Sequence, residues 1–337
     1  MLPDAFTCRE AFAAGATARR LRARDLHHPF RGVRQKAAPL IVIADNEPLA
    51  RDRRAHALVR HTAQAYATVM RDDAFFVGLT AVALLELPLP WRFDPTGPLC
   101  VAVPSPHRAP RAAGIHGHRH AATQVAAREH AGLRIAAPAD LWASLAGTLS
   151  ERELIVLGDA IVRVPRDSHG TAHPEQQLAT IAQLEDAALR PGRRRRKKLL
   201  RALERVRVGS MSALETDFRL NAEDAGLPEP DLDVEIFGEF GRRVGIADAF
   251  YRRWRIVVEV EGKQHSTDDK QWRRDLDKYA DYAAIGLELV RLGSQHIRGD
   301  PARGPAIVRA ALARHGWRPG LSAVDPPDAE AARAAAE

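Results

Sequence analysis

The stretch 256-IVVEVEGKQH-265 decides the fold of the C-terminal part of this chain, because two kinds of residue alternate along it. Successive side chains of an extended strand point to opposite faces. One face would carry Ile256, Val258 and Val260, and the other would carry Val257 followed by a row of charged groups. That row is Glu259, Glu261, Lys263 and His265, spaced about 7 Å apart in a strand. The alternation predicts a buried strand with a functional row on one face.

A further acidic residue, Asp248, is expected to face this row. It ends the preceding strand-like run, and facing side chains of paired strands approach to about 5 Å. Carboxylates this close raise one another's pKa unless a cation lies between them. The sequence therefore predicts Mg²⁺ or Mn²⁺ bound by Asp248, Glu259 and Glu261. Lys263 and His265 would then serve the attacking water or the phosphate. An edge strand with a wet face is the alternative, but it leaves the flanking apolar residues unexplained.

Elements on both sides of the stretch complete a mixed sheet with helices on both faces. Ser212 and Glu215 form a capping box that begins a helix. The elements that follow are strands at 232–237, 244–250 and 256–260, a helix that ends at Gly286, a strand at 287–292 and a helix at 301–315. This order predicts one domain at 209–318, in which Glu215 is a further candidate catalytic residue. A purely capping role, with an i,i+4 pair to Arg219, is the alternative for Glu215.

The acidic pattern resembles that of the PD-(D/E)xK phosphodiesterases, which have the restriction-endonuclease-like fold. The segments 209–236, 248–265 and 274–292 resemble the nuclease-like domain related to very-short-patch-repair (Vsr) endonucleases, which is found in actinobacterial proteins. The matching residues are Glu215, Arg219, Asp248, Glu259, Glu261, Gly262, His265, Arg274 and Asp275. The chain departs from that pattern at Lys278, where Arg is usual, and at Leu287, where Trp is frequent. The resemblance implies metal-dependent hydrolysis of DNA, with Arg274 as a DNA contact.

The N-terminal residues predict a small winged helix-turn-helix at 1–50. A capping box at 7-TCRE-10 begins one helix, and Thr17 can cap a second, basic helix. The stretch 26-LHHPFRGVRQ-35 has the composition of a hairpin or wing. The candidate DNA-binding residues are Arg19, Arg20, Arg22, Arg24, Arg31 and Arg34. An ordinary helical pair with a solvated basic face is the alternative, because spacing alone does not separate the two.

The middle region, 51–165, predicts an α+β domain without a catalytic group of its own. Within 115-IHGHRH-120, three histidines lie on one face of a possible strand: His116, His118 and His120. Histidines at this spacing could bind a metal. A basic strand that faces solvent is the favoured interpretation, because arginines flank the histidines and no carboxylate is adjacent.

A basic helical linker is predicted at 166–208. Its consecutive cations are Arg193, Arg194, Arg195, Arg196, Lys197 and Lys198, and an apolar helical stripe follows them. These cations repel one another and gain from phosphate contact through counterion release, although a solvated helix face explains them equally well. The Ala-, Pro- and Glu-rich tail at 319–337 is expected to be disordered.

The N-terminal part of the chain resembles the winged-helix and α+β region of the type IV abortive-infection antitoxin (AbiEi) family. The stretches that carry this resemblance are 6-FTCREAFAAGATARRLRARD-25, 32-GVR-34, 79-LTAVALLELPLP-90 and 152-RELIVLGDAIVR-163. Antitoxins of that family bind DNA, repress their own operon and counter a nucleotidyltransferase toxin. The resemblance implies DNA and such a toxin as partners, in a chain to which a nuclease-like domain has been appended.

The bulk composition is typical of a soluble globular protein with anionic partners. The chain has 337 residues, of which 45% are hydrophobic and 28% charged, enough for two or three domains. Lys and Arg exceed Asp and Glu by 50 to 43, and the resulting charge of +7 favours nucleic acid as a partner. Cys8 and Cys100 lie far apart, so neither a disulfide framework nor a Cys-type zinc site is expected. No secretory leader or membrane span is apparent, which predicts a cytoplasmic protein without a membrane partner.

Two hypotheses follow for a chain that is α+β overall, with α/β character in its C-terminal domain. The leading one is a Mg²⁺-dependent, endonuclease-like DNA-binding protein. The second is a transcriptional regulator or antitoxin whose nuclease-like domain is not catalytic.

Overall fold

The alternating and striped segments fold into an α+β chain, as the sequence predicts. The structure is a computed structural model and describes residues 2–37, 43–44, 49–238, 241–262 and 278–320. Two compact units divide the chain. The first comprises Met1–Ile161 and Leu178–Val206, and the second comprises Val162–Gln177 and Arg207–Glu337. The predicted linker at 166–208 is thus shared between the units. Most of the tail that was expected to be disordered, 321–337, lies outside the described residues.

The first unit contains two sheets within the described ranges. Its strands are β1 (Ala5–Thr7), β2 (Leu26–His27), β3 (Val33–Lys36), β4 (Phe75–Phe76), β5 (Leu99–Pro104), β6 (Ile115–His120), β7 (Ala127–His130) and β8 (Leu133–Ala136). Its helices are α1 (Cys8–Ala13), α2 (Ala50–Ala67), α3 (Gly78–Leu84), α4 (Pro138–Ser144), α5 (Glu151–Val162), α6 (Ile181–Leu189) and α7 (Arg196–Glu204). The small sheet has the order β1-β3-β2, and the larger one has the order β6-β5-β4-β8-β7.

The N-terminal segment keeps the first predicted helix but not the second. The capping box of α1 is confirmed, since Thr7 and Glu10 each accept a hydrogen bond from the other's backbone amide. The basic helix expected after Thr17 is wrong: only a 3₁₀ turn forms there, at Arg20–Arg22. The guanidinium of Arg20 donates to both oxygens of Asp25, each at 2.8 Å, and the chain enters β2 directly afterwards. The chain therefore turns at the Arg20–Asp25 pair and does not continue as a helix.

Parallel and antiparallel pairing are mixed in the larger sheet. Strands β5 and β6 run parallel, with Cys100 beside His116 and Ala102 beside His118, and β6 lies at the edge. The hairpin β7–β8 was not predicted. Its turn residues Ala131 and Gly132 have φ values of 48° and 75°, which is the left-handed pair that a two-residue hairpin requires.

The second unit contains the strand from which the sequence analysis began. Its elements are α8 (Ala213–Asp224), β9 (Asp231–Phe237), β10 (Arg243–Tyr251), β11 (Ile256–Glu261), a helical segment α9 at 278–284, β12 (Glu288–Gly293), a π-helical turn (Gln295–Gly299) and α10 (Arg303–Arg314). The sheet has the order β12-β11-β10-β9, with β11 and β12 parallel and the other pairs antiparallel. It is the mixed sheet that the sequence predicts.

Both faces of this sheet are buried, which explains the apolar flanks of the charged row. One face packs against α8 and α10 through a core that includes Ile256, Val258 and Leu292. The opposite face carries Val257 and packs against Tyr282 of α9. Glu259 and Glu261 continue the Val257 face towards the end of β11. The row therefore begins in a core and emerges at the end of the strand.

No helix in the described ranges is both long enough and apolar enough to cross a membrane.

Candidate functional site

Asp248 of β10 is close enough to two other carboxylates of the second unit, Glu215 of α8 and Glu259 of β11, for both of their charges to act on it. Ser212 caps α8 by accepting the Glu215 amide at 3.2 Å. The Glu215 carboxylate in turn accepts the amide of Met211 at 2.7 Å, one residue before the position expected of a capping box. The cap thus fixes Glu215 at the start of the helix, with its side chain folded back over the preceding turn.

Asp248 bridges two neighbouring strands at the centre of this group. Its Oδ2 accepts the backbone amide of Val260 at 2.7 Å. Ala249 of β10 pairs with Val258 of β11, so continuing the ladder by one residue brings Asp248 opposite Glu259. The expected approach of Asp248 to the charged row therefore agrees with the backbone pairing.

The strand alternation slips where these acids lie. Val234 and Ala247 pack on the α9 side of the sheet, whereas Leu232 and Ala249 pack on the other side. Residues two apart on a regular strand share a face, so the alternation is interrupted at Asp233 in β9 and at Asp248 in β10. The pairing of these strands also shifts register between Arg243 and Gly245. Asp233 has a φ of 54°, which is uncommon for a residue other than glycine. Irregularities of this kind re-aim side chains and are frequent beside active sites.

Crowding and burial strongly disfavour the charged form of these acids. Burial, followed by the nearby Glu215 and Glu259 carboxylates, raises the pKa of Asp248 to about 8, against smaller opposing effects of the Val260 amide and Lys278. Burial also raises the pKa of Glu215, to which the charge of Asp233 adds. At neutral pH the Asp248 carboxyl therefore holds a proton for much of the time unless a cation replaces it.

A lysine already neutralises Glu259. The Lys278 ammonium forms an ion pair with Glu259 Oε1, and the Tyr282 hydroxyl donates to the same oxygen at 3.3 Å. Burial and the adjacent Glu259 raise the pKa of Tyr282, so the phenol remains a donor. A Cβ at Gly245 of β10 would lie 2.6 Å from the Tyr282 oxygen and 2.7 Å from the Lys278 Cε. The glycine thus leaves the room that these two side chains occupy.

Glu261, at the end of β11, is turned towards a different cation. Its Oε1 accepts Arg291 Nε of β12 at 2.5 Å, and the carboxylate is 43% exposed. Glu261 is thus more accessible than the predicted metal ligands Asp248 and Glu259, and a local partner already neutralises it.

Asp233 belongs to this group and was missed in the sequence. Arg166 Nε lies 2.9 Å and 2.8 Å from its two carboxylate oxygens, and Arg166 also contacts Glu235 at 3.2 Å. Burial raises the pKa of Asp233, against the effect of Arg166. The alternation of Asp231, Asp233 and Glu235 along β9 was a usable signal.

The remaining residues of the predicted catalytic and DNA-contacting set lie outside the described part of the chain. They are Lys263, His265, Arg274 and Asp275. Their roles stay predictions.

The N-terminal candidates for DNA binding differ in what their side chains do. Arg19, Arg22, Arg24 and Arg31 are exposed, and Arg20 is exposed but paired with Asp25. Arg34 is half-buried and donates to the carbonyls of Leu21 and Val33 at 2.8 Å and 2.9 Å. Arg34 therefore holds the fold of the segment, whereas the exposed arginines are available to phosphates.

The basic run beside α7 divides in the same way. The two ends of this run are held by hydrogen bonds within the first unit. Arg193 donates to the carbonyls of Ala187 and Gln124, and Lys198 donates to the carbonyls of Ala146 and Leu149. The four residues between them are exposed: Arg194, Arg195, Arg196 and Lys197. A surface for phosphate contact is thus narrower than the sequence indicates.

Comparisons with known proteins give little further information. No protein-family model matches the chain, and no solved structure matches it. Two relatives from Mycobacterium tuberculosis, Uncharacterized protein MT2308 of strain CDC 1551 and Uncharacterized protein Rv2248 of strain H37Rv, are each 29% identical over 104 residues. The match covers 31% of this chain and only 36% of each relative. Function is therefore inferred from the site itself.

Proposed function

We propose that the second unit is a metal-dependent phosphodiesterase domain in an endonuclease-like, DNA-binding protein. The observation that carries the proposal is the convergence of Glu215, Asp248 and Glu259 from one helix and two neighbouring strands, where burial and mutual repulsion raise the pKa of Asp248. A scaffold gains nothing from such crowding, because each buried carboxylate costs free energy until a cation or a proton neutralises it. Strongly shifted acids are typical of functional sites.

The donor set fits a hard divalent ion such as Mg²⁺ or Mn²⁺, which prefers carboxylate oxygens. Asp248 and Glu259 would hold the ion, and Glu215 and the more exposed Glu261 are the further candidates. When bound, such an ion supplies a charge that polarises a phosphate and acidifies a water. The amide of Val260 orients Asp248, and Tyr282 orients Glu259, so both carboxylates are positioned before any ion arrives. Lys278 offers a positive charge beside the phosphate position.

Charge on the first unit supports DNA as the substrate. The exposed cations are Arg19, Arg22, Arg24, Arg31, Arg194, Arg195, Arg196 and Lys197. Contacts of this type neutralise backbone phosphates and carry most of the affinity that does not depend on sequence.

A different observation favours a second candidate function. Protein cations already pair with the acids of the site, through Lys278 to Glu259, Arg291 to Glu261 and Arg166 to Asp233. A domain neutralised in this way can hold DNA or a protein without hydrolysing anything. The alternative we propose is a transcriptional regulator or antitoxin, with a nucleotidyltransferase toxin as its protein partner.

Cleavage of supercoiled plasmid DNA tests the first proposal. We expect nicking by the wild type in Mg²⁺ or Mn²⁺ and none in EDTA. Asp248→Asn and Glu259→Ala should each cut at least about 100-fold more slowly, because a lost metal ligand removes several kcal/mol of transition-state stabilisation. Glu185→Gln, at an exposed position of α6, is the matched control and should cut like the wild type.

Two outcomes would contradict the proposal. Equal cutting by all variants would show that DNA cleavage does not depend on Asp248 or Glu259. Retardation of DNA on a gel without cutting by any variant would favour the regulator, and a screen for its operator should follow.

A further inference from the structure

A second group of metal-ligating side chains lies in the first unit, and the proposed function does not use it. Cys100 of β5 stands beside His116 of β6 in the parallel register, and His118 stands two residues further along β6. Residues two apart on a strand share a face, so the three side chains point to the same side of the sheet. The thiol sulfur and one ring nitrogen of each imidazole all lie within 4.8 Å of one another.

His118 has an unmet requirement that a ligand would satisfy. Its Nε2 is buried and has no hydrogen-bond partner. A buried polar atom without a partner destabilises the folded state, because it has lost its hydrogen bonds to water and gained none in the protein. The imidazole of His116 lies close by, with 4.5 Å between the ring centroids. The ring is thus held beside two other donors with a nitrogen that no protein group engages.

The pKa shifts of two of the three groups favour their uncharged forms. Burial lowers the pKa of His118, and the neighbouring His116 and His120 lower it further. Burial raises the pKa of the Cys100 thiol, against a hydrogen bond to Thr80. A neutral imidazole is the form that binds metals. Cys100 loses its proton on binding, so its S–H bond breaks as the sulfur–metal bond forms.

We propose that Cys100, His116 and His118 form a zinc-binding site. One sulfur and two imidazole nitrogens suit a borderline-soft ion and do not suit Mg²⁺, which prefers oxygen. Three protein ligands leave the fourth tetrahedral position to water or to another small ligand. The sulfur also has room: Gly78, with a φ of 59°, packs beside it, and a Cβ there would lie 3.3 Å from the Cys100 sulfur.

Cobalt substitution tests the site in the full chain. After removal of metals with a chelator, the protein is titrated with Co²⁺ and then with Zn²⁺. We expect a thiolate-to-cobalt charge-transfer band, intense d–d bands typical of tetrahedral coordination, saturation of the charge-transfer band by one ion per chain and displacement by Zn²⁺. Asp248→Asn should leave the charge-transfer band unchanged, because this band reports sulfur and not the carboxylates of the second unit.

Three variants decide the assignment. Cys100→Ser should lose the charge-transfer band, whereas Cys8→Ser, at the other cysteine of the chain, should keep it. His116→Gln should weaken Co²⁺ binding by more than about 100-fold, because the loss of even an outer-shell partner of a ligand costs about 10- to 100-fold. His116 is exposed, so this change leaves the core intact, and circular dichroism checks the fold. A wild type without the band, or a band that survives Cys100→Ser, would overturn the proposal.

Discussion

The strand pair β10–β11 and the strand pair β5–β6 both gather ligand-type side chains, yet they solve opposite electrostatic problems. At β10–β11 the groups are carboxylates, and the empty site must be neutralised by a shared proton or by cations such as Lys278. At β5–β6 the groups are a thiol and imidazoles, and the pKa shifts of Cys100 and His118 favour their uncharged forms. A site of acids therefore needs a built-in counterion, whereas a site of neutral donors can stand empty.

The two strand pairs also differ in what packs against their glycines, Gly117 of β6 and Gly245 of β10. Substitution of these glycines gives the largest expected effect on the free energy of unfolding. A Cβ at Gly117, between His116 and His118, would lie 2.1 Å from the backbone oxygen of Pro110. At Gly245 the obstacles are only the ends of the Tyr282 and Lys278 side chains. We expect Gly117→Ala to lower the free energy of unfolding by about 3 kcal/mol, the upper end for overpacking, and Gly245→Ala to lower it less. Urea unfolding measures both.

Gly147→Ala is the control for this order, because no atom lies within 4 Å of its Cβ position. Its effect should stay within about 0.5 kcal/mol. If Gly117→Ala were as mild as this control, the crossing of β6 by the Pro110 backbone would be too loose to position the two histidines.

The second largest expected effect is on the pH dependence of stability, which the raised pKa of Asp248 should change. Its pKa is raised from 3.8 to about 8, so the folded state binds a proton that the unfolded state releases near pH 4. Asp248 therefore lowers the free energy of unfolding progressively as the pH rises from about 4 to about 8. In EDTA, Asp248→Asn has no carboxyl to ionise at this position. Its free energy of unfolding relative to that of the wild type should therefore increase by more than about 1 kcal/mol between pH 5 and pH 8.

The pH dependence of stability has the opposite sign at His118, because its pKa is lowered and its protonation at acid pH lowers the free energy of unfolding. The prediction for Asp248→Asn is tested by urea unfolding of this variant and the wild type at pH 5 and pH 8, with the exposed Asp224→Asn as the control. Parallel pH curves for the wild type and Asp248→Asn would show that the acids of β10 and β11 are no more crowded than surface carboxylates.

The counterion Lys278 gives the smallest effect. Lys278→Met removes the cation that competes with a metal for Glu259. We expect it to increase the stabilisation conferred by Mg²⁺ by a few tenths to about 1 kcal/mol, the usual range for partly exposed ion pairs. The thermal midpoint in Mg²⁺ and in EDTA measures this, and Arg242→Met, which removes the ion pair to Asp281, is the matched control. A smaller Mg²⁺ effect than in the wild type would show that Lys278 assists binding instead.

Local pattern was sufficient for most elements of the second unit. The alternation in 256–261 predicted β11, and the cap at Ser212 predicted the start of α8. The expected helix after Thr17 failed because a basic composition fits a helix and a turn equally well, and the Arg20–Asp25 pair decided for the turn. The ion pair between Arg20 and Asp25, five residues apart, is thus made in a turn and not in the helix that the composition favoured.

The two residues that sequence reasoning missed depend on contacts between distant parts of the chain. The alternating acids of β9 were a signal for Asp233, but they do not show that its left-handed backbone conformation and the folding of β9 beside α8 bring it close to Glu215. Cys100 meets His116 only because β5 and β6 pair in parallel with this register. A one-residue change of register would move Cys100 beside a different residue, so its role became visible only with the sheet.

The position of β6 at the edge of its sheet gives the same histidines a second consequence, for self-association. An edge strand exposes unpaired backbone groups to which another chain can add, and proteins guard such edges with charged side chains. The motif 115-IHGHRH-120 places Arg119 and three imidazoles there. Protonation of His118 and His120, whose pKa values burial lowers, adds positive charge to this edge in acid and strengthens its protection against strand addition.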